Sequence, residues 1–120
     1  MTASASDGPV AGCIFCKLIA DPGFEAILRD GDVVAMADIN PQAPVHFLVV
    51  PRRHVETIAE LEDDQLLGRI FAVAHGVAKE RGLADSGYRL VFNQGPNAGQ
   101  TVYHIHLHVL GGRQMTWPPG

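Results

Sequence analysis

At 120 residues, 47% of them hydrophobic, the chain suits one compact domain burying roughly two-thirds of its unfolded surface. Nine Lys and Arg face 13 Asp and Glu for a net charge of −4, and no basic block could neutralise a run of phosphates, which argues against a polynucleotide partner but leaves room for a mononucleotide held by backbone amides. No apolar run approaches the about 20 residues that span a bilayer, and the first residues lack the basic and apolar regions of a signal peptide, so no membrane partner and a cytoplasmic location are expected.

Residues 1–12 are small and polar without periodicity, which predicts a disordered tail and leaves 13–120 as the domain. Ile14, Phe15, Leu18 and Ile19 recur at helical spacing before Asp21-Pro22-Gly23 and predict a short helix over 14–20. The stretches 25–30 and 33–39, joined at Asp30-Gly31-Asp32, read as a β-hairpin. A Pro-containing loop over 40–44 precedes a strand over 45–50, which Pro51 stops. Leu66, Leu67, Ile70, Phe71, Val73, Ala74, Val77 and Ala78 keep the i, i+3, i+4, i+7 pattern of one long helix over 61–81, with Glu62, Asp63 and Asp64 at its start and Gly82 at its end. A strand over 88–93, a loop over 94–100, a strand over 104–110 and an irregular end complete the chain. The fold class is therefore α+β: a mostly antiparallel sheet of about five strands with one long and one short helix.

Chemistry concentrates in the last strand. His104-Ile105-His106-Leu107-His108-Val109-Leu110 holds half of the six histidines, and strand alternation puts them on one face at about 6.6–7 Å intervals, with the aliphatic residues on the other. Three uncompensated imidazoles cost several kcal/mol to bury, so they need partners or a cleft. The loop before them supplies one. Gly95 and Gly99 let the backbone approach a ligand, and the amides around Gly99-Gln100-Thr101, the Thr101 hydroxyl and the Asn93 side chain can donate to phosphate oxygens.

The histidine strand resembles the His-φ-His-φ-His-φ-φ motif of the histidine triad (HIT) superfamily. The likeness runs over residues 13–120 and includes Asp38-Ile39-Asn40-Pro41-Gln42-Ala43-Pro44-Val45-His46, Gly99-Gln100-Thr101-Val102-Tyr103 and the ending Gly111-Gly112-Arg113-Gln114-Met115 to Gly120, which is similar to the Hint branch. The resemblance implies a purine nucleoside phosphoramidase, cleaving AMP- or GMP-type conjugates through a covalent nucleotidyl-histidine. His106 would be the nucleophile, His108 would lie against the phosphate, and His46 would support the nucleophile; no metal is required for the chemical step. Asp38 would accept the ribose hydroxyls, and Ile14, Phe15, Leu18, Met36 and Ile39 would form the slot around the base. Two departures from the family pattern, Ala37 and Gly23-Phe24-Glu25, bear on base preference. A homodimer is expected, since the branch pairs through its long helix and sheet edge. The alternatives are a dinucleoside polyphosphate hydrolase, a non-catalytic nucleotide-binding scaffold and a metal-storage protein.

Cys13-Ile14-Phe15-Cys16 reads, in a reducing setting, as thiolate ligands or free thiols rather than a disulfide. Two thiolates do not complete a tetrahedral zinc site. Cys13, Cys16, His54 and His104 form the expected structural Zn2+ set, a combination that some bacterial HIT proteins use. His75 fits none of these patterns and is expected at the surface or an interface.

Overall fold

The computed structural model describes residues 9–120. Helix α1 (Ile14–Ala20) and strands β1 (Leu28–Asp30), β2 (Val33–Ala37) and β3 (Val45–Pro51) precede helix α2 (Asp64–Glu80), and strands β4 (Tyr88–Val91) and β5 (Leu107–Gly111) follow it. Pairing is antiparallel throughout, in the order β1-β2-β3-β5-β4. This is the α+β fold that the sequence predicts. No helix among the described residues is long and apolar enough to cross a membrane.

Alternation along the central strands decides what each sheet face does. Val33, Ala35, Phe47, Val49, Leu107 and Val109 point to one face and pack with Leu66, Ile70, Val73, Ala74, Val77 and Ala78 of α2. Val34, Met36, Leu48 and Val50 point to the other and pack with Phe15 and Ile19 of α1. Both faces of β2 and β3 are thus covered, which is why these strands read as near-continuous apolar runs. By the same parity His46 and His108 lie on the α1 face. The short α1 covers only part of it, and His106 and His108 stay half-buried.

Several boundaries differ from the sequence reading, each for a local reason. Residues 25–27 precede β1, although the Ile27 N–H still bonds the Ala35 carbonyl at 2.9 Å; beyond Ala37 the Asp38 carboxylate takes the Asn40 N–H at 2.9 Å, and the strand turns. Helix α2 starts at Asp64 because Asp63 is its N-cap, accepting the Leu66 N–H at 3.0 Å, and a 3-10 turn, Ile58–Glu60, occupies the preceding residues. Strand β4 ends at Val91, and the loop beyond holds a 3-10 turn, Pro96–Ala98, between Gly95 (φ 77°) and Gly99 (φ 81°).

The histidine strand differs most. Regular pairing begins at Leu107, so His104, Ile105 and His106 lie outside it. Pro51 has no N–H to extend the ladder, and its carbonyl takes His104 Nε2 at 2.8 Å. The Ile105 N–H turns instead to the Val55 carbonyl at 2.8 Å. Of the expected tail, residues 1–8 lie outside the described residues, and residues 9–12 form a turn whose Val10 carbonyl accepts the Cys13 N–H at 3.2 Å.

Candidate functional site

The histidines divide into two groups with different neighbours. His104 is fully buried and faces His54, ring centroids 5.0 Å apart. His106 and His108 are half-buried, their rings 5.0 Å apart and steeply inclined. Regular pairing begins only at Leu107, and His104 lies against Cys13 and Cys16 while His106 packs with His108.

Hydrogen bonds fix which nitrogen of each ring carries the proton, since a carbonyl can only accept and an amide N–H can only donate. His104 Nε2–H donates to the Pro51 carbonyl at 2.8 Å, leaving its Nδ1 lone pair 3.3 Å from Cys13 Sγ and 3.5 Å from Cys16 Sγ. His106 Nδ1–H donates to the His104 carbonyl at 2.8 Å, leaving Nε2 unprotonated. His46 Nδ1 accepts the Gln42 N–H at 2.9 Å, so Nε2–H points to His108 Nδ1 at 3.0 Å. His108 in turn carries its proton on Nε2. Of the two half-buried histidines, His46 meets His108, and the backbone of His104 holds His106.

Burial keeps these imidazoles neutral. It pushes His108 down to about 4, with the neighbouring His106 and His46 adding and Asp38 opposing. It lowers His106 as well, against the His104 carbonyl and the Asp38 charge, and lowers His46 against Asp38. Asp38 Oδ2 lies 3.4 Å from His46 Nε2 and 3.8 Å from His108 Nδ1, and the carboxylate is mostly enclosed. His106 also packs on Phe15 of α1, ring centroids 5.0 Å apart.

Among the described residues two groups of side chains have metal-ligand spacing, each with its ligand atoms within 4.8 Å of one another. Cys13, Cys16, His54 and His104 fit zinc. Tetrahedral bonds of about 2.3 Å to sulfur and 2.0–2.1 Å to nitrogen put S and N about 3.6 Å apart, close to the 3.3, 3.4 and 3.5 Å of the Cys13–His104, Cys16–His54 and Cys16–His104 contacts. The His104 tautomer presents a lone pair to the thiols, and the Pro51 carbonyl is the outer acceptor a ligating histidine needs. Burial pushes the Cys16 thiol up, so a cation in this position would draw off its proton. Asp38, His46 and His108 do not fit: His46 holds a proton on the nitrogen that would ligate, and its other nitrogen already accepts from Gln42.

Other candidate residues are spread unevenly. Phe15 and Met36 are buried, Leu18 is half-buried, Ile14 is exposed, and Ile39 is 100% exposed and touches no core in this chain. Asn93 is half-buried, and Gly99 and Thr101 are exposed. Gln100 is buried, and its carboxamide is occupied within the loop, accepting the Gly95 N–H at 2.9 Å and donating to the Glu56 and Val102 carbonyls at 2.7 and 3.2 Å. It shapes the loop instead of offering side-chain donors. His75 is exposed and meets the Tyr88 hydroxyl at 2.7 Å. Sequence reading assigns no role to the Gln42 N–H or the His104 carbonyl. Both are backbone groups, which carry no residue-type signal.

A family model described as the HIT domain matches residues 24–115. The chain belongs to the HIT family. Among HIT relatives it is 50% identical over 112 residues to a "14 kDa zinc-binding protein" of Zea mays, covering 89% of this chain and 87% of that one. It is 43% identical over 125 residues to "Adenylylsulfatase HINT1" of Arabidopsis thaliana, covering 100% and 82%. A HIT family hydrolase from Legionella pneumophila Philadelphia 1 superposes with a TM-score of 0.83 at 51% identity, covering 90% of this chain and 99% of that one. The HIT match includes the histidine strand, β3 and α2, while the Cys-x-x-Cys helix precedes its first residue.

Proposed function

We propose that the chain is a Hint-type purine nucleoside phosphoramidase. It cleaves the bond between the α-phosphate of an AMP- or GMP-type conjugate and its leaving group through a nucleotidyl-His106 intermediate. The observation that carries the reading is the bond from His106 Nδ1–H to the His104 carbonyl, which leaves a neutral imidazole with its Nε2 lone pair directed away from the backbone. Such a nitrogen attacks phosphorus near pH 7 without prior deprotonation.

In this reaction His106 Nε2 bonds to phosphorus as the bond to the leaving nitrogen breaks, and the departing amine takes a proton. Water then cleaves the N–P bond and frees the nucleotide. The charge on the phosphorylated ring is met by the His104 carbonyl at Nδ1–H. His108, its ring 5.0 Å from that of His106, supplies the proton to the leaving nitrogen from Nε2; the charge of an arriving phosphate favours its protonated form, so the substrate itself loads the acid. Asn93, Gly99, Gln100 and Thr101 border the phosphate, Gln100 by shaping the loop. Phe15, Met36, Leu18, Ile14 and Ile39 are assigned to the base and Asp38 to the ribose.

Cys13, Cys16, His54 and His104 would hold zinc and so tie α1, and with it Phe15, to the catalytic segment; the metal's contribution there would be structural. A reducing cytoplasm suits thiolates in this role. The exposed Leu90 on edge strand β4 and the exposed Phe71 on α2 support a homodimer through that side of the sheet.

Incubation with adenosine phosphoramidate and with adenylyl sulfate, followed by intact-mass analysis, tests the reading. The name of the Arabidopsis relative makes the sulfate the second substrate to try. Turnover of the phosphoramidate with a trapped nucleotidyl adduct that is lost in His106→Ala is expected. Turnover of neither compound, or unchanged turnover in the variant, overturns it.

A further inference from the structure

The carboxyl-terminal arm reaches the histidine pair through the backbone of the loop between β2 and β3. Gly112 adopts φ +90°, and a Cβ there would lie 3.0 Å from Pro44 Cβ, so glycine lets the chain leave β5 closely against that loop. The next residue, Arg113, donates from Nε to the Gln42 carbonyl at 2.9 Å and from a terminal nitrogen to the Gln114 carbonyl at 3.3 Å. On its other side the Gln42 N–H donates to His46 Nδ1 at 2.9 Å, and His46 Nε2 meets His108 Nδ1 at 3.0 Å. The Gln42 side chain ties back to the Asn40 carbonyl at 3.1 Å. Pro41 and Pro44 flank the segment.

We propose that Arg113 is a positioning residue for His108: by anchoring Gln42 it keeps the Gln42 N–H on His46, which holds the His108 proton on Nε2. Each link has one permitted direction. An amide N–H cannot accept, so His46 Nδ1 must be bare; a neutral His46 then carries its proton on Nε2; and His108 Nδ1, receiving that proton, must be bare as well. Freed of Gln42, His46 has only the Asp38 carboxylate, 3.4 Å from its Nε2, to keep its proton there, and wherever that proton moves to Nδ1 His108 loses the donor that defines it. Arg113 is 71 residues from Gln42 in the chain, and its side chain contacts neither imidazole in the contacts described above. It acts only through the loop. The inference rests on the proposed role of His108, while the tautomers themselves are independent of it.

Two variants separate the donor from shape and charge. Arg113→Met places a methyl where Nε stood, and Arg113→Gln places an amide N–H there without the guanidinium charge. Long-range 1H–15N spectra of the full chain at neutral pH read the tautomer of each ring, and His106, held by the His104 carbonyl, is the internal control for an intact fold. Wild type is expected to show His108 protonated on Nε2. Arg113→Met should show a mixture of tautomers at His46 and His108, with kcat for adenosine phosphoramidate reduced about fivefold, as for the loss of one hydrogen bond, at near-constant KM. Arg113→Gln should restore both. A wild-type proton on His108 Nδ1, a pure Nε2 tautomer in Arg113→Met, or a glutamine variant matching the methionine one overturns the proposal. Disappearance of the His106 signature in Arg113→Met does so too, since Arg113 would then hold the fold and not the proton. Wild type with the stated tautomers but no turnover overturns the phosphoramidase reading and leaves this inference standing.

Discussion

The carbonyl oxygen of His104 accepts the Nδ1–H of His106 at 2.8 Å, while the ring of the same His104 faces two thiols. One residue thereby serves a metal-type cluster with its side chain and the proposed nucleophile with its backbone. The first consequence concerns His106 itself. Replacing it with alanine is expected to lower kcat for adenosine phosphoramidate by more than about a thousandfold, the scale for loss of a nucleophile. Affinity for AMP should change only a few-fold, because the His106 Nδ1–H is already occupied within the protein. Single-turnover kinetics and calorimetry on the same preparation read the two quantities.

The thiol cluster leads to a second expectation. Purified without a histidine tag, the protein should carry one zinc, and Cys16→Ser should carry well under half an equivalent. With free zinc at about a hundred times the Kd, binding contributes about 2.7 kcal/mol, so loss of the metal should lower Tm by roughly 10 °C. Metal analysis and thermal melts check both. Both thiols titrating freely in the untreated protein would count against the site.

Acid should destabilise the fold within a defined window. His108 has a pKa of about 4 in the folded chain against the ordinary 6.5, so between those values the unfolded chain binds the additional proton. Its contribution is complete above about pH 6.5 and lost as the pH falls toward 4, with a slope of about 1.4 kcal/mol per pH unit. His46, His106 and Asp38 face the same ring; the two histidines are also lowered and reinforce the slope. Urea titrations at pH 7, 6, 5 and 4.5 should show the loss, and His108→Asn should flatten it in part.

Strand β5 ends on a packing constraint. A Cβ on Gly111 would lie 2.6 and 2.8 Å from the two methyls of Leu83, which is itself in the core. Gly111→Ala is therefore expected to cost about 1–3 kcal/mol by overpacking. Adding Leu83→Ala, which alone costs about 2–5 kcal/mol, should give a double variant more stable than the sum of the two changes predicts. Denaturant unfolding of the four proteins gives the coupling, and strict additivity would remove Leu83 as the obstacle.

The sequence by itself determined the periodic elements and the residue types of the site. The apolar spacing of α2, the runs of β2 and β3, and the turn at Gly31 each follow from local rules. So does the alternation that sends Ile105, Leu107 and Val109 to the core. The HIT motif was legible because chemistry demands those side chains. Tertiary structure alone decided how the three histidines divide. Pro51 cannot extend the ladder, so the chain bends before Leu107 and His104 goes to the thiols. The tautomers of His46, His106 and His108 depend on the Gln42 amide and the His104 carbonyl. Every residue except proline has both groups, and only folding selects which of them faces a ring.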